Sequence, residues 1–270
     1  MNYRTILLAS AAVMVASAAS AKDITNPFYL PGQGEMLSNT SVEYNRMNLK
    51  HGLGNVDEGL YANEEISYGI NDNLSVVGAI GNHFDSKGMT NRDYNNEHNF
   101  DYSLGAKYNM QSGNWLGQLG ANYYTYNPKS WDGHRDNDER WYKELNATAK
   151  IGYDLGNGWT PYSSFTLLSP IDKANRTMEY SWFNGVHKKA DKYAFNAGVR
   201  YDFNTDGDWD LLNDGRHKHN KNVWYAQADA YYFLKDNVAL GVYGDYYLGG
   251  NYNDLVDYDY TAGVNAKVLF

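Results

Sequence analysis

Tyr258-Asp259-Tyr260-Thr261-Ala262-Gly263-Val264-Asn265-Ala266-Lys267-Val268-Leu269-Phe270, the end of the chain, decides the fold. Tyr258, Tyr260, Ala262, Val264, Ala266, Val268 and Phe270 fall on one side of an extended chain. Asp259, Thr261, Gly263, Asn265 and Lys267 fall on the other. A period of two with one apolar and one polar face is the signature of a half-buried β-strand. The alternation returns at Tyr102 to Met110, Leu145 to Tyr153, Tyr193 to Phe203, Trp224 to Leu234 and Val238 to Leu248. Such segments run about 10 residues, the length of a tilted strand that crosses a bilayer.

A soluble sandwich also alternates, but its core must be densely filled. Here the apolar faces are rich in alanine, and tyrosine and tryptophan gather at segment ends, where amphipathic rings suit lipid headgroups. The 270 residues hold no cysteine, only 5 prolines and 16% aromatics, with net charge -9 and mean hydropathy -0.66. Absence of cysteine excludes thiolate metal sites and cysteine nucleophiles, and the acidic balance argues against nucleic acid as a partner.

Met1 to Thr5 carries one positive charge, Ile6 to Ala16 is a small-apolar run, and Ala19-Ser20-Ala21 has the small-x-small form of a signal-peptidase site. The expected organisation is a cleaved signal peptide over 1–21, a periplasmic N-terminal segment over 22–37 and a barrel over 38–270.

Short connections are expected at Asn71 to Asn73, Gln111 to Asn114, Leu155 to Gly158 and Lys235 to Asn237. Longer polar ones fall at 85–97, 127–139, 171–190 and 249–257. Outer-membrane barrels place short turns in the periplasm and long loops outside, so the spacing orients the strands. Strands are expected near 38–49, 58–70, 74–84, 98–110, 115–126, 140–154, 160–169, 190–203, 208–214, 221–234, 238–248 and 258–270. The ninth rests on parity, and an extra pass within 177–186 would satisfy parity equally. The fold class is therefore an all-β, transmembrane, antiparallel up-and-down β-barrel of about 12 strands, with 10 as the alternative.

With its cleavable signal, its even set of amphipathic strands and its ending Lys267-Val268-Leu269-Phe270, the chain resembles the outer-membrane β-barrel proteins of Gram-negative bacteria, in a porin-like group. The resemblance covers most of the chain in pattern and implies an outer-membrane address, lipid as surroundings and Phe270 as an assembly signal for the barrel-assembly machinery. Lys22 to Gly34, with Asn26-Pro27-Phe28-Tyr29-Leu30-Pro31, is similar to the leader of uncharacterised barrels of that kind.

The polar faces turn Glu43, Glu65, Asp101, Glu144, Asp154, Asp202, Asp229, Asp245 and Asp259 toward the lumen, together with Lys107, Lys150, Lys192, Arg200 and Lys267. Acids outnumber bases, which in an aqueous path favours cations. The expected function is a narrow, mildly cation-selective channel for small solutes. The alternative is a closed structural or adhesive barrel working through outer loops, with Tyr94, Trp131, Trp182 and Phe183 as loop aromatics. No His-x-Ser-Asn stretch of the barrel phospholipases occurs, and the seven histidines fall nearly all in expected loops or strand mouths. Asp132, His134, Asp136 and Asp138, and the alternating Asp206, Asp208 and Asp210, read as solvated loop charge. No enzymatic activity, metal or cofactor is expected. Two residues resist the pattern: Arg46 and Glu64 fall on the lipid side, where charge is costly.

Overall fold

A computed structural model describes residues 22–50, 54–84, 99–126, 142–171, 178–204, 209–210, 218–219, 221–251 and 256–270. Twelve antiparallel strands close into one barrel: β1 (Met36–Leu49), β2 (Gly54–Asn71), β3 (Leu74–Phe84), β4 (Asn99–Ser112), β5 (Trp115–Tyr126), β6 (Tyr142–Tyr153), β7 (Trp159–Pro170), β8 (Glu179–Ala190), β9 (Tyr193–Asn204), β12 (Asn222–Lys235), β13 (Val238–Gly250) and β14 (Val256–Leu269). Between β9 and β12, β10 (Trp209–Asp210) and β11 (Lys218–His219) form a separate two-residue ribbon. Each wall strand pairs with its neighbours in sequence, and β14 returns to β1 with Leu37 opposite Leu269 and Val42 opposite Val264. Met36 and Phe270 exchange both backbone hydrogen bonds, 3.1 and 2.8 Å, so the terminal residue closes the seam. Closure satisfies the backbone polar groups that hydrocarbon would otherwise strand.

Alternation sets the two faces as expected. Leu104, Leu145, Tyr193, Val242 and Val264 are exposed on the outside, and Asp101, Gln118, Asn196 and Asp202 are buried inside. The count of twelve stands, with one strand relocated. Of the strand expected at 208–214, the described residues 209–210 pair with 218–219 outside the wall; the alternative, an extra pass within 177–186, is the one the structure shows, as β8. β9 therefore ends at Asn204 at the long-loop end, with Tyr201 near that end, and the next wall strand in sequence is β12. Two features hide β8 in the sequence. Its inward face carries Phe183, and its outward face carries Asn184 and Lys188, so the apolar alternation is broken. Its turn into β9 is only Asp191-Lys192 and has no glycine, Asp191 itself taking φ 44°. Aspartate tolerates that left-handed conformation better than most residues. Trp182 and Phe183 are accordingly wall residues rather than loop aromatics, Trp182 outside and Phe183 buried inside.

Both charges that resisted the pattern do face outward. Glu64 shares its face with Ile66 and Ile80, and its carboxylate accepts from the Ser38 hydroxyl at 2.6 Å and from the Thr40 hydroxyl. Arg46 lies near the long-loop end of β1, its guanidinium 5.6 Å from the centre of the Tyr258 ring.

Candidate functional site: the lumen and its internal segment

Residues 22–35, the part of the segment expected over 22–37 that precedes β1, fold into the short-turn end of the barrel. Ile24 is 1% and Phe28 6% exposed. Ile24 packs with the inward-facing Tyr231, Phe233, Ala239 and Leu269, flanked by Tyr29 and Leu37, which makes the apolar core of the molecule a contact between this segment and the wall. The wall is cut to receive it. A Cβ on Gly69 would lie 1.9 Å from the Gly32 carbonyl oxygen, and one on Gly152 would lie 2.7 Å from the Phe28 ring. Phe28 also meets Tyr162 edge to face at 6.0 Å. Polar ties add to the packing: Lys150 Nζ donates to the Pro27 carbonyl at 3.0 Å, Asn109 Nδ2 to the Phe28 carbonyl at 2.5 Å, and the Lys22 and Glu35 side chains pair at 2.6 Å.

Deepest of these ties is a line of side chains from segment to wall. Asp23 Oδ2 lies 2.6 Å from His187 Nε2; His187 Nδ1 lies 2.9 Å from Asn196 Oδ1; Asn196 Nδ2 donates to Asp229 Oδ1 at 2.6 Å. His187 is 1% exposed. Burial raises the Asp23 carboxyl, but the hydrogen bond and charge of His187, with Thr25, outweigh it and hold the group below its ordinary range. The sequence pattern groups the histidines with loops and strand mouths and gives His187 no site role, because it does not reveal β8 as a strand.

Above the segment opens a cavity of about 580 Å³ whose lining includes Pro27, Glu43, Lys150, Tyr162, Phe183, Arg200, Asp229, Tyr243 and Asp245. Counted from the short-turn ends of their strands, the expected lumen charges fall into tiers. Lys150 and Lys267 lie within three residues of that end, beside the internal segment. Glu43, Glu65, Lys107, Arg200, Asp229 and Asp245 lie five to seven residues up, and Asp101, Glu144, Asp202 and Asp259 nine to eleven.

The middle tier is largely paired. Lys107 meets Glu65 at 3.2 Å; Arg200 reaches both Asp202 and Asp245 at 3.1 Å and stacks over Tyr225 at 4.5 Å; the Tyr243 hydroxyl donates to Glu43 at 2.8 Å. The upper tier is acidic and dressed with hydroxyls. Asp101, 2% exposed, accepts from Tyr61 at 3.0 Å and Tyr124 at 2.6 Å; Asp259 accepts from Tyr225 at 2.9 Å, and Asp202 from Ser181 at 2.7 Å. Gly81 makes the Asp101 cluster fit, since a Cβ there would stand 2.0 Å from both Asp101 Oδ1 and the Tyr61 hydroxyl. A neutral hydroxyl donor steadies a carboxylate without cancelling its charge, so Asp101 and Asp259 are not neutralised by these partners, whereas Asp202 also pairs with Arg200. Lys267 sits over the Tyr231 ring at 4.9 Å.

Two expected lumen residues lie elsewhere. Lys192 is exposed in the β8–β9 turn, and Asp154 is exposed in the β6–β7 turn, where it accepts from the Gly156 amide at 2.8 Å. In both cases the polar alternation continues in sequence past the end of the strand. The aspartates at 206 and 208, the cluster at 132–138 and the aromatics at 94 and 131 lie outside the described residues.

No family model and no curated protein matches the chain. Among solved structures, an outer membrane channel from Pseudomonas putida F1 superposes with a TM-score of 0.65 at 12% identity, covering 91% of this chain and 98% of that one. The KdgM porin superposes with a TM-score of 0.51 at 7% identity over 84% of this chain and 98% of its own, as does its complex with disordered oligogalacturonate. The likeness is one of fold, a closed antiparallel barrel.

Proposed function

We propose that this protein is an outer-membrane channel of Gram-negative bacteria that passes small solutes and mildly prefers cations. The acidic upper tier carries the reading: Asp101 and Asp259, held by tyrosine hydroxyls, stand with Glu144 and the Arg200-paired Asp202 at the long-loop end of a lumen that contains a sizeable polar cavity. Rings of carboxylates attract cations and repel anions where water is confined. Refolded protein in a planar bilayer under a salt gradient tests it. A cation-directed reversal potential that weakens in Asp229→Asn and Asp245→Asn is the expected result; an anion-directed or unselective current refutes the preference.

One observation favours a closed barrel acting through its outer loops, namely the segment that occupies the short-turn end. A folded barrel, shown by heat-modifiable gel mobility, that stays silent under every condition decides for that reading.

A further inference from the structure

We propose that residues 22–35 are a proton-latched gate, docked by an imidazolium at His187 against the Asp23 carboxylate and released when that imidazolium loses a proton. The proposal rests on the channel reading, because a gate needs a path to close.

The argument is a count of donors and acceptors. Asp229 is a carboxylate and accepts, so the Asn196 group facing it at 2.6 Å is the amide nitrogen. That places the Asn196 carbonyl oxygen 2.9 Å from His187 Nδ1, and a carbonyl only accepts, so Nδ1 bears a proton. On the far side Nε2 faces Asp23 Oδ2 at 2.6 Å, while Asp23 Oδ1 already accepts from the Thr25 hydroxyl at 2.6 Å and the Thr25 amide at 3.2 Å. An acceptor stands at each end of the ring, and only the doubly protonated ring donates to both. Removing one proton sets a lone pair against an oxygen at a buried position, where water cannot fill in. The amide of Asn196 cannot turn to relieve this without facing its carbonyl at Asp229.

The charges around the pair support its ionised form. Asp229, across Asn196, acts on His187, and Lys189 and Lys267 act on Asp23. Release does not require the segment to leave the molecule. Gly34, exposed and at φ 79°, joins it to β1 and supplies the joint. What moves is the floor of the cavity, since Pro27 lines it.

The test compares the protein from residue 22 onward at pH 6 and pH 9, with two readouts. In micelles, chymotrypsin cutting after Phe28 or Tyr29 is followed by mass spectrometry, each rate normalised to a peptide of the same sequence. In planar bilayers, open probability is recorded. The wild type is expected to be cut at least tenfold faster at pH 9 and to open more often. Asp23→Asn, whose amide both donates and accepts and so suits a neutral ring, is expected to be cut slowly at both pH values. Asp23→Lys, which sets like charges against each other, is expected to be cut fast at both and to conduct at pH 6. A wild-type cutting rate that does not change with pH, or that changes equally in Asp23→Asn, overturns the latch. If the cutting rates follow the latch while the wild type and Asp23→Lys both stay silent, the latch stands and the channel reading fails. Conduction by Asp23→Lys together with a pH-independent wild type overturns the latch and leaves the channel reading standing.

Discussion

Phe28 and Gly152 form a knob and socket, and their mutual dependence can be measured. Phe28→Ala removes a ring that is 6% exposed and meets Tyr162 edge to face. Truncating a buried Phe costs about 3–5 kcal/mol, and a segment docked in a polar lumen belongs at the low end, about 3 kcal/mol. Gly152→Ala leaves the strand backbone unstrained but pushes a methyl group to 2.7 Å from the ring, with the Pro161 carbonyl at 3.2 Å closing the other side. Overpacking of this kind costs about 1–3 kcal/mol, and the middle of that range, about 2 kcal/mol, suits a ring edge with some room to shift. In the double variant the missing ring leaves the space the methyl group needs, so the second cost falls to near zero. Native-state hydrogen exchange of the Phe28 and Tyr29 amides, bonded at 2.9 Å to the Asn26 side chain and carbonyl, reads the opening of the segment directly. Exchange should accelerate roughly 100-fold in Phe28→Ala and about 30-fold in Gly152→Ala, and still only roughly 100-fold in the double variant. A double variant that exchanges about 3,000-fold faster, the product of the two, refutes the seating of the ring on this strand.

Other consequences follow from single contacts. Arg200→Gln leaves Asp202 and Asp245 without their shared guanidinium, and breaking a mostly buried pair costs about 3–5 kcal/mol; heat-modifiable mobility should be lost at a clearly lower temperature, and an unchanged transition argues against the bridge. Asp101→Asn removes charge from the upper tier while its two tyrosine partners remain, so the reversal potential should shift away from cations with conductance retained. Acid should also loosen the internal segment. The folded Asp23 carboxyl sits below its ordinary range, so its stabilisation is present above the unfolded value of about 3.9 and is lost as pH falls through the lower folded value; a protection of the Tyr29 amide, taken relative to the unfolded amide at the same pH, that fails to fall below about pH 4 contradicts this. Glu64→Leu replaces a lipid-facing carboxylate by an apolar side chain and should stabilise the barrel by about 1–2 kcal/mol in vesicle unfolding by urea; a loss of stability would mean that its hydroxyl bonds outweigh its exposure.

The wall is legible in the sequence because lipid imposes a strict period. Leu104, Leu145 and Val264 can face only outward once Asp101, Glu144 and Asp259 are assigned inward, and a one-residue slip would reverse every side chain. β8 escapes because its lumen face carries Phe183 and meets the internal segment through His187, so its inward residues obey contact with that segment rather than contact with water. The internal segment itself has no period to read. Its signal lies in the wall: Gly69 and Gly152 are inward positions that carry no side chain, each opposite a piece of residues 22–35. In an alternating strand an inward glycine reads equally as a lumen filler or a bend, and only the three-dimensional arrangement reveals which object occupies the space.

The same segment ties the site's packing to its electrostatics. Acids dominate the long-loop end of the lumen, while in the other half Lys150 stands close enough to Lys107 and to Lys267 to interact with each. Two of those lysines face partners that the internal segment brings. Lys150 donates to the Pro27 carbonyl, and Lys267 feels the Asp23 carboxylate. Docking therefore adds acceptors to bases that also feel the wall carboxylates Glu65 and Asp229, and like charges in a confined lumen repel. That repulsion gives the wall an electrostatic reason to hold the segment, beyond the apolar contact of Ile24. It also explains why the segment presents carbonyls and a carboxylate to the basic half, while its ammonium group at Lys22 turns back onto its own Glu35.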